Sequence, residues 1–133
     1  MLNTPEGTVD LRNGTMRAHN PDDLITKITV VSPNNVNSQM WLDALDTFFC
    51  GNQQLIGYVQ EIAGLAAIGK VLLEAIIIAY GNGSNGKSTF WNTIARVLGD
   101  NSYSDKISAG ALTLGYRHNV KAELCGKRLV IAS

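Results

Sequence analysis

Apolar residues recur with a period of two near the start of this chain, at helical spacing through its middle, and in short unbroken runs further on. Thr8-Val9-Asp10-Leu11 alternates, Arg12-Asn13-Gly14 supplies an Asn-Gly turn, and Thr15-Met16-Arg17-Ala18 returns, which predicts a β-hairpin. Asn20-Pro21-Asp22-Asp23 reads as a turn, and Leu24 to Val31 as a further strand. Ser32-Pro33-Asn34-Asn35-Val36-Asn37 breaks the chain, and Ser38 is placed to cap a helix.

Two helices are expected next. Trp41, Leu42, Leu45, Phe48 and Phe49 make one apolar stripe, closed by Cys50-Gly51. After Asn52, a second stripe runs through Leu55, Tyr58, Val59, Ile62, Leu65 and Ala66. Gly57 and Gly64 weaken this second helix by roughly a kcal/mol each, so close packing against a neighbour is expected there. The aromatics Trp41, Phe48, Phe49 and Tyr58 could stack on bases, but at helical spacing a core role is the favoured reading.

Leu72 to Tyr80 is an apolar run rich in β-branched residues, the pattern of a buried parallel strand. Ser88 to Leu98 follows as a helix with Phe90, Trp91, Ile94, Ala95 and Leu98 on one face and Gly99 as its terminating residue. Between them lies Gly81-Asn82-Gly83-Ser84-Asn85-Gly86-Lys87-Ser88-Thr89, which fits the phosphate-loop pattern G-x-x-x-x-G-K-[ST] in the strand–loop–helix context that the pattern requires. Glycines let the backbone come close to phosphate oxygens, and the loop's N–H groups with the helix N-terminus form an anion cradle. Lys87 would reach the β- and γ-phosphates as the catalytic cation, and Ser88 would ligate Mg²⁺. The plainer alternative, a glycine turn capping a helix, leaves a lysine at the end of the helix dipole that disfavours cations.

Beyond Gly99-Asp100-Asn101, Tyr103 to Ser108 reads as a short strand, Ala109 to Thr113 as a helical turn, and Tyr116 to Leu124 as a helix. Leu129-Val130-Ile131-Ala132 is a four-residue strand behind the basic pair Lys127-Arg128. The whole is an α/β chain: a partial P-loop NTPase core over 71–133, preceded by a β-hairpin segment over 1–37 and a helical part over 38–70. No internal repeat is evident.

Composition narrows the function classes. With 133 residues, 45% of them hydrophobic, the chain can bury a core. Eleven basic residues balance 11 acidic ones, so no global field draws it to nucleic acid or membrane. The longest apolar run, Ala75 to Tyr80, is far short of the ~20 residues that span a bilayer, and Met1 to Gly7 lacks the regions of a signal peptide. Cys50 and Cys125 read as reduced, buried thiols of a cytoplasmic protein. His19 and His118 are isolated and are not expected to bind metal.

A hydrolysing P-loop domain also needs an acid at the end of a neighbouring strand. That acid is expected directly after the strand 129–132, beyond Ser133. Glu74, Asp100 and Glu123 are poorly placed to replace it.

Several blocks together resemble the superfamily-three helicases. Asn3-Thr4-Pro5-Glu6-Gly7-Thr8-Val9-Asp10-Leu11-Arg12 and Pro21-Asp22-Asp23-Leu24-Ile25-Thr26-Lys27 resemble the segment before the helicase domain in phage- and plasmid-type primases, which are similar to the poxvirus helicase–primase. Asn85-Gly86-Lys87-Ser88-Thr89 matches the family's form of the phosphate loop, and Leu124 to Ser133 looks like its next motif, which continues with a glutamate. The resemblance implies an ATP- and Mg²⁺-dependent DNA helicase, hexameric at full length, acting in a bacterial host's cytoplasm on a phage or plasmid fork. It also implies that the glutamate, sensor residue, arginine finger and DNA-contacting hairpin lie beyond position 133, so that this chain is a truncated piece.

Two other readings stay open: a catalytically incomplete remnant acting only in nucleotide binding or oligomerisation, and a small-molecule kinase sharing the phosphate loop. Single-stranded DNA contact through Arg117, His118, Lys121, Lys127 and Arg128 is weighed against a solvated basic face, which is the favoured reading.

Overall fold

The computed structural model describes residues 1–34, 36, 38–70, 72, 76–112 and 123–133. Strands β1 (Leu2–Thr4), β2 (Gly7–Asp10) and β3 (Thr15–Arg17) form an antiparallel sheet in the order β1-β2-β3. The hairpin between β2 and β3 pairs Thr8 with Arg17, Val9 with Met16 and Asp10 with Thr15. Its turn is closed by the Gly14 N–H donating to the Asp10 carbonyl at 2.8 Å, with Gly14 at φ 73°, a conformation glycine adopts without strain. The Asp10 carboxylate accepts from the Arg12 backbone N–H at 3.0 Å and from its guanidinium at 2.6 Å. Those hydrogen bonds hold the Asp10 carboxyl far below its ordinary range.

Each face of this sheet buries a threonine, since the register puts Thr8 on the face of Asn3 and Thr4 on that of Leu2 and Val9. Thr4 and Thr8 are almost fully buried and need partners there. The Thr4 hydroxyl donates to the Gly7 carbonyl at 2.8 Å, and the Thr8 hydroxyl donates to Asn3 Oδ1 at 2.5 Å.

The strand expected over 24–31 does not form. Leu24 takes a left-handed backbone (φ 52°) after a 3₁₀ turn at Pro21–Asp23. Its neighbours then bond different elements: Thr29 N–H donates to Asn3 O at 2.9 Å, Val30 N–H to Val97 O at 3.0 Å, and Ile28 N–H to Ser102 Oγ at 3.0 Å. A ladder needs one partner strand in regular register; this segment instead stitches the N-terminal sheet to the helix over 87–98 and the loop after it.

Three helices follow: α1 (Gln39–Phe48), α2 (Gln53–Ile68) and α3 (Lys87–Leu98). Ser38 makes no side-chain capping bond to α1; its backbone is already helical, whereas a capping hydroxyl needs an extended one. Asn52 does cap α2, accepting from Leu55 N–H at 3.0 Å, and Gly69 ends it at φ 67°. On α2 the buried row is Ile56, Val59 and Ile62, while Leu55, Tyr58 and Leu65 of the expected stripe are exposed. This helix is apolar on most sides, so periodicity fixed its type better than its rotation. Among the described residues, nothing comes near where a β-carbon on Gly57 or Gly64 would sit, so the close packing expected at them is not seen there.

Leu45, Ile56, Val59 and Phe90 form the core, with Trp41, Phe48, Phe49, Trp91 and Ile94 packed against it. Phe90 of α3 is its centre, stacked on Trp41 at 5.8 Å and meeting Phe49 and Trp91 edge-on at 5.7 and 4.9 Å, the geometries favoured by ring quadrupoles. The face predicted for α3 is the one buried. Strand β4 (Ser104–Ile107) follows after a short loop and pairs in parallel with β5 (Leu129–Ala132), Ser104 opposite Leu129. The buried Ser104 hydroxyl ties β4 to the end of α3, donating to Ala95 O at 2.7 Å.

The parallel strand expected over 72–80 is not seen in its described part. Residues 76–80 pair with no strand, and Ile76, Ile78 and Tyr80 are about four-fifths or more exposed (81%, 79% and 90%). Leu73, Glu74 and Ala75 lie outside the described residues, as does all of the helix expected over 116–124 except its last two positions.

Candidate functional site: the loop before α3

The loop from Gly81 to Gly86 folds around the Lys87 ammonium. Lys87 Nζ donates to Gly81 O and Asn82 O, each at 3.2 Å, and to Asn85 Oδ1 at 2.6 Å. The carbonyls therefore turn inward. The complementary result concerns the donors: from Asn82 to Thr89, no backbone N–H has a hydrogen-bond acceptor among the described residues. Ser84 and Gly86 take left-handed φ values of 59° and 80°. Successive N–H groups freed in this way, next to a helix N-terminus, make a concave anion-binding nest.

Two of the glycines have a steric reason. A β-carbon at Gly81 would lie 2.7 Å from Asn85 Nδ2 and 3.3 Å from Lys87 Nζ, closing the loop's interior. A β-carbon at Gly86 would overlap the ring of Phe48. Gly86 also precedes the first turn of α3, so Phe48 of α1 is the floor on which the loop becomes a helix.

Ser88 and Thr89 stand exposed in the first turn of α3, and among the described residues neither hydroxyl has a partner. The residues present fit a nucleotide's phosphates with their divalent cation: an open row of donors, a lysine and a free hydroxyl at the position that binds Mg²⁺ in such loops. Among the described residues no three His, Cys, Asp or Glu side chains gather as a metal site.

The remaining sequence candidates disperse. Lys127 is neither solvated nor in an open channel: its side chain is nearly buried and pairs with Asp105 at 2.9 Å. That hydrogen bond, with one from the Lys106 N–H, lowers the Asp105 carboxyl below its ordinary value. Arg128 lies over the Tyr103 ring at 4.1 Å and donates to Ala67 O and to Met1 O at 2.5 and 2.8 Å; burial lowers its pKa. The favoured expectation of a solvated basic face fails for both. Arg117, His118 and Lys121 lie outside the described residues. Cys50 and Cys125 are free and exposed, contrary to the buried thiols expected. His19 is exposed, with Nδ1 3.4 Å from the Thr8 hydroxyl. Of the four aromatics weighed for stacking, Trp41, Phe48 and Phe49 pack on the core, and Tyr58 is exposed.

Sequence reasoning missed a cleft of about 320 Å³ away from the loop, lined by Leu24, Lys27, Tyr103, Gly126, Lys127 and Arg128 among others. Its cations already have acceptors within the chain, Lys27 Nζ reaching Ser102 O at 3.0 Å. The contact of Phe48 with Gly86 was also missed, since nothing in the pattern of α1 singles out one of its core aromatics.

Residues 1–50 match a family model described as D5 N terminal like. No curated protein and no solved structure matches the chain. Among the described residues no helix is long and apolar enough to cross a membrane. The matched segment includes β1 to β3 and all of α1, and therefore ends just beyond Phe48, the residue that touches Gly86. Over those 50 of its 133 residues the chain is similar to the D5-like N-terminal segment.

Proposed function

We propose that this chain is the ATP-binding portion of a D5-type replicative DNA helicase–primase, holding Mg–ATP in the loop Gly81 to Thr89. The observation that carries the reading is the row of backbone N–H groups from Asn82 to Thr89 without acceptors among the described residues, set beside the Lys87 ammonium. Asn82 to Asn85, Ser88 and Thr89 are exposed, and Gly86 and Lys87 half-buried, so these donors are open to an incoming anion, which the N-terminus of α3 favours electrostatically. Lys87 takes the phosphate charge and the Ser88 hydroxyl is the protein's ligand to Mg²⁺. In the full-length protein this site couples ATP hydrolysis to DNA unwinding in a hexameric ring, in the cytoplasm of a phage- or plasmid-bearing host. Single-stranded DNA is the substrate of that assembly rather than a ligand of the residues described in this chain, because Lys127 and Arg128 are already engaged.

Titration of a fluorescent ATP analogue with Mg²⁺ tests the reading. Lys87→Ala is expected to weaken binding by at least tenfold; equal affinity for the variant and the natural chain would overturn it.

A further inference from the structure

The Lys87 ammonium has three N–H bonds, and in the structure it has three acceptors: Gly81 O, Asn82 O and Asn85 Oδ1. A phosphate oxygen can reach the ammonium only by replacing one of them. Two are main-chain carbonyls, fixed by the course of the loop. The third belongs to an exposed side chain, which leaves by rotating about its own bonds. It is also the shortest of the three contacts, at 2.6 Å.

We propose that Asn85 is a positioning residue that holds Lys87 in the nucleotide-free loop and is exchanged for a phosphate oxygen when ligand binds. The inference rests on the phosphate-loop reading above and adds to it a residue that sets affinity. A neutral amide is suited to this exchange. Its oxygen keeps the ammonium inside the loop when no phosphate is present, yet gives way to an oxygen bearing negative charge, because hydrogen bonds between two charged groups are the stronger ones. A carboxylate at 85 would not give way so readily, and would repel the incoming phosphate as well.

The test compares Asn85→Ala, Asn85→Asp and Lys87→Ala in the 133-residue chain, using a fluorescent ATP analogue with Mg²⁺. The exchange predicts effects of opposite sign: Asn85→Ala binds about threefold tighter and Asn85→Asp about tenfold weaker. A merely structural role for Asn85 would weaken both. In the absence of nucleotide, reductive methylation of Lys87 is expected to run faster in Asn85→Ala and slower in Asn85→Asp. Equal affinities for the natural chain and both Asn85 variants, or weakening by both, overturn the exchange while Lys87→Ala still reports an intact phosphate site. Equal binding by the natural chain and Lys87→Ala overturns the phosphate-loop reading itself.

Discussion

Phe48 and Gly86 touch so closely that the ring of the first occupies the place where a β-carbon on the second would sit. One belongs to the end of α1 and the other to the turn that starts α3. The N-terminal segment and the glycine loop before α3 are therefore fitted to each other here, and the turn at Gly86 rests on a helix nearly 40 positions earlier in the chain.

Gly86→Ala accordingly faces two penalties. Its φ of 80° costs a non-glycine residue about 1–2 kcal/mol, and the added carbon displaces Phe48. The expected outcome is a loss of about 2–4 kcal/mol in urea unfolding, together with loss of ATP-analogue binding. Adding Phe48→Ala restores space but not the backbone preference, so the double variant should recover less than half of the nucleotide affinity. Full recovery would show that the clash alone governs position 86.

Phe90 makes a second test. It is 2% exposed and ringed by Trp41, Phe49 and Trp91. Phe90→Ala removes a large buried ring and is expected to destabilise by about 3–5 kcal/mol, measured by chemical denaturation. Because Phe90 lies in the first turn of α3, nucleotide affinity should fall with it. Phe90→Leu keeps much of the volume and should cost about 1–2 kcal/mol.

What the sequence made legible follows from how local each signal is. The β2–β3 hairpin was readable because Asn13-Gly14 carries its own turn geometry, and α3 because one face alternates cleanly with polar residues. The start of α3 directly after Gly86 was legible because the glycines and the polar residues before it are confined to a few consecutive positions. The failures are of a different kind. Leu24 to Val31 has strand composition, but its donors go to Asn3 and Val97, partners that only the tertiary structure supplies. The rotation of α2 turned on whether Ile56 or Leu55 faces Phe90, and both are apolar. Lys127 and Arg128 read as a basic face because neither Asp105 nor Tyr103 is near them in sequence; each finds its partner only when β5 aligns with β4. Asn85 falls at an unspecified position of the motif, so its hold on Lys87 is visible only in the structure.

The pairing of Asp105 with Lys127 gives a pH dependence. The folded-state pKa of Asp105 lies below its ordinary value of 3.8, chiefly because of the hydrogen bond from Lys127. A depressed carboxylate contributes stability that is fully present above the unfolded value and is lost as pH falls through the folded one. Stability should therefore hold from neutral pH down to about 4 and then decline, as far as this group is concerned. Asp105→Asn should flatten that decline in acid denaturation followed by circular dichroism. At pH 7 it should cost about 1–3 kcal/mol, since it leaves a nearly buried ammonium without its counter-charge. An unchanged acid limb would mean that the pair contributes nothing to folding.

Arg128 offers the sharpest distinction between charge and shape. Its guanidinium spans three parts of the chain at once: one nitrogen donates to Ala67 O near the end of α2, another to Met1 O beside β1, and the plane rests on Tyr103 before β4. Gly69, at φ 67°, leaves room for its stem, where a β-carbon would come within 2.7 Å of Nε. Arg128→Lys keeps the positive charge but has no planar fork and cannot meet two carbonyls while lying on a ring. The expected loss is about 1–2 kcal/mol in urea unfolding, as large as that of the uncharged Arg128→Met, which preserves the stem's packing. A lysine variant as stable as the natural chain would mean that the charge suffices and that the fork and the stack do not hold β5 against the N-terminal sheet. Because the partners of Arg128, namely Ala67, Met1 and Tyr103, lie outside the loop 81–89, ATP-analogue affinity measured well below the unfolding temperature should change by less than twofold in either variant, separating its structural role from the proposed nucleotide site.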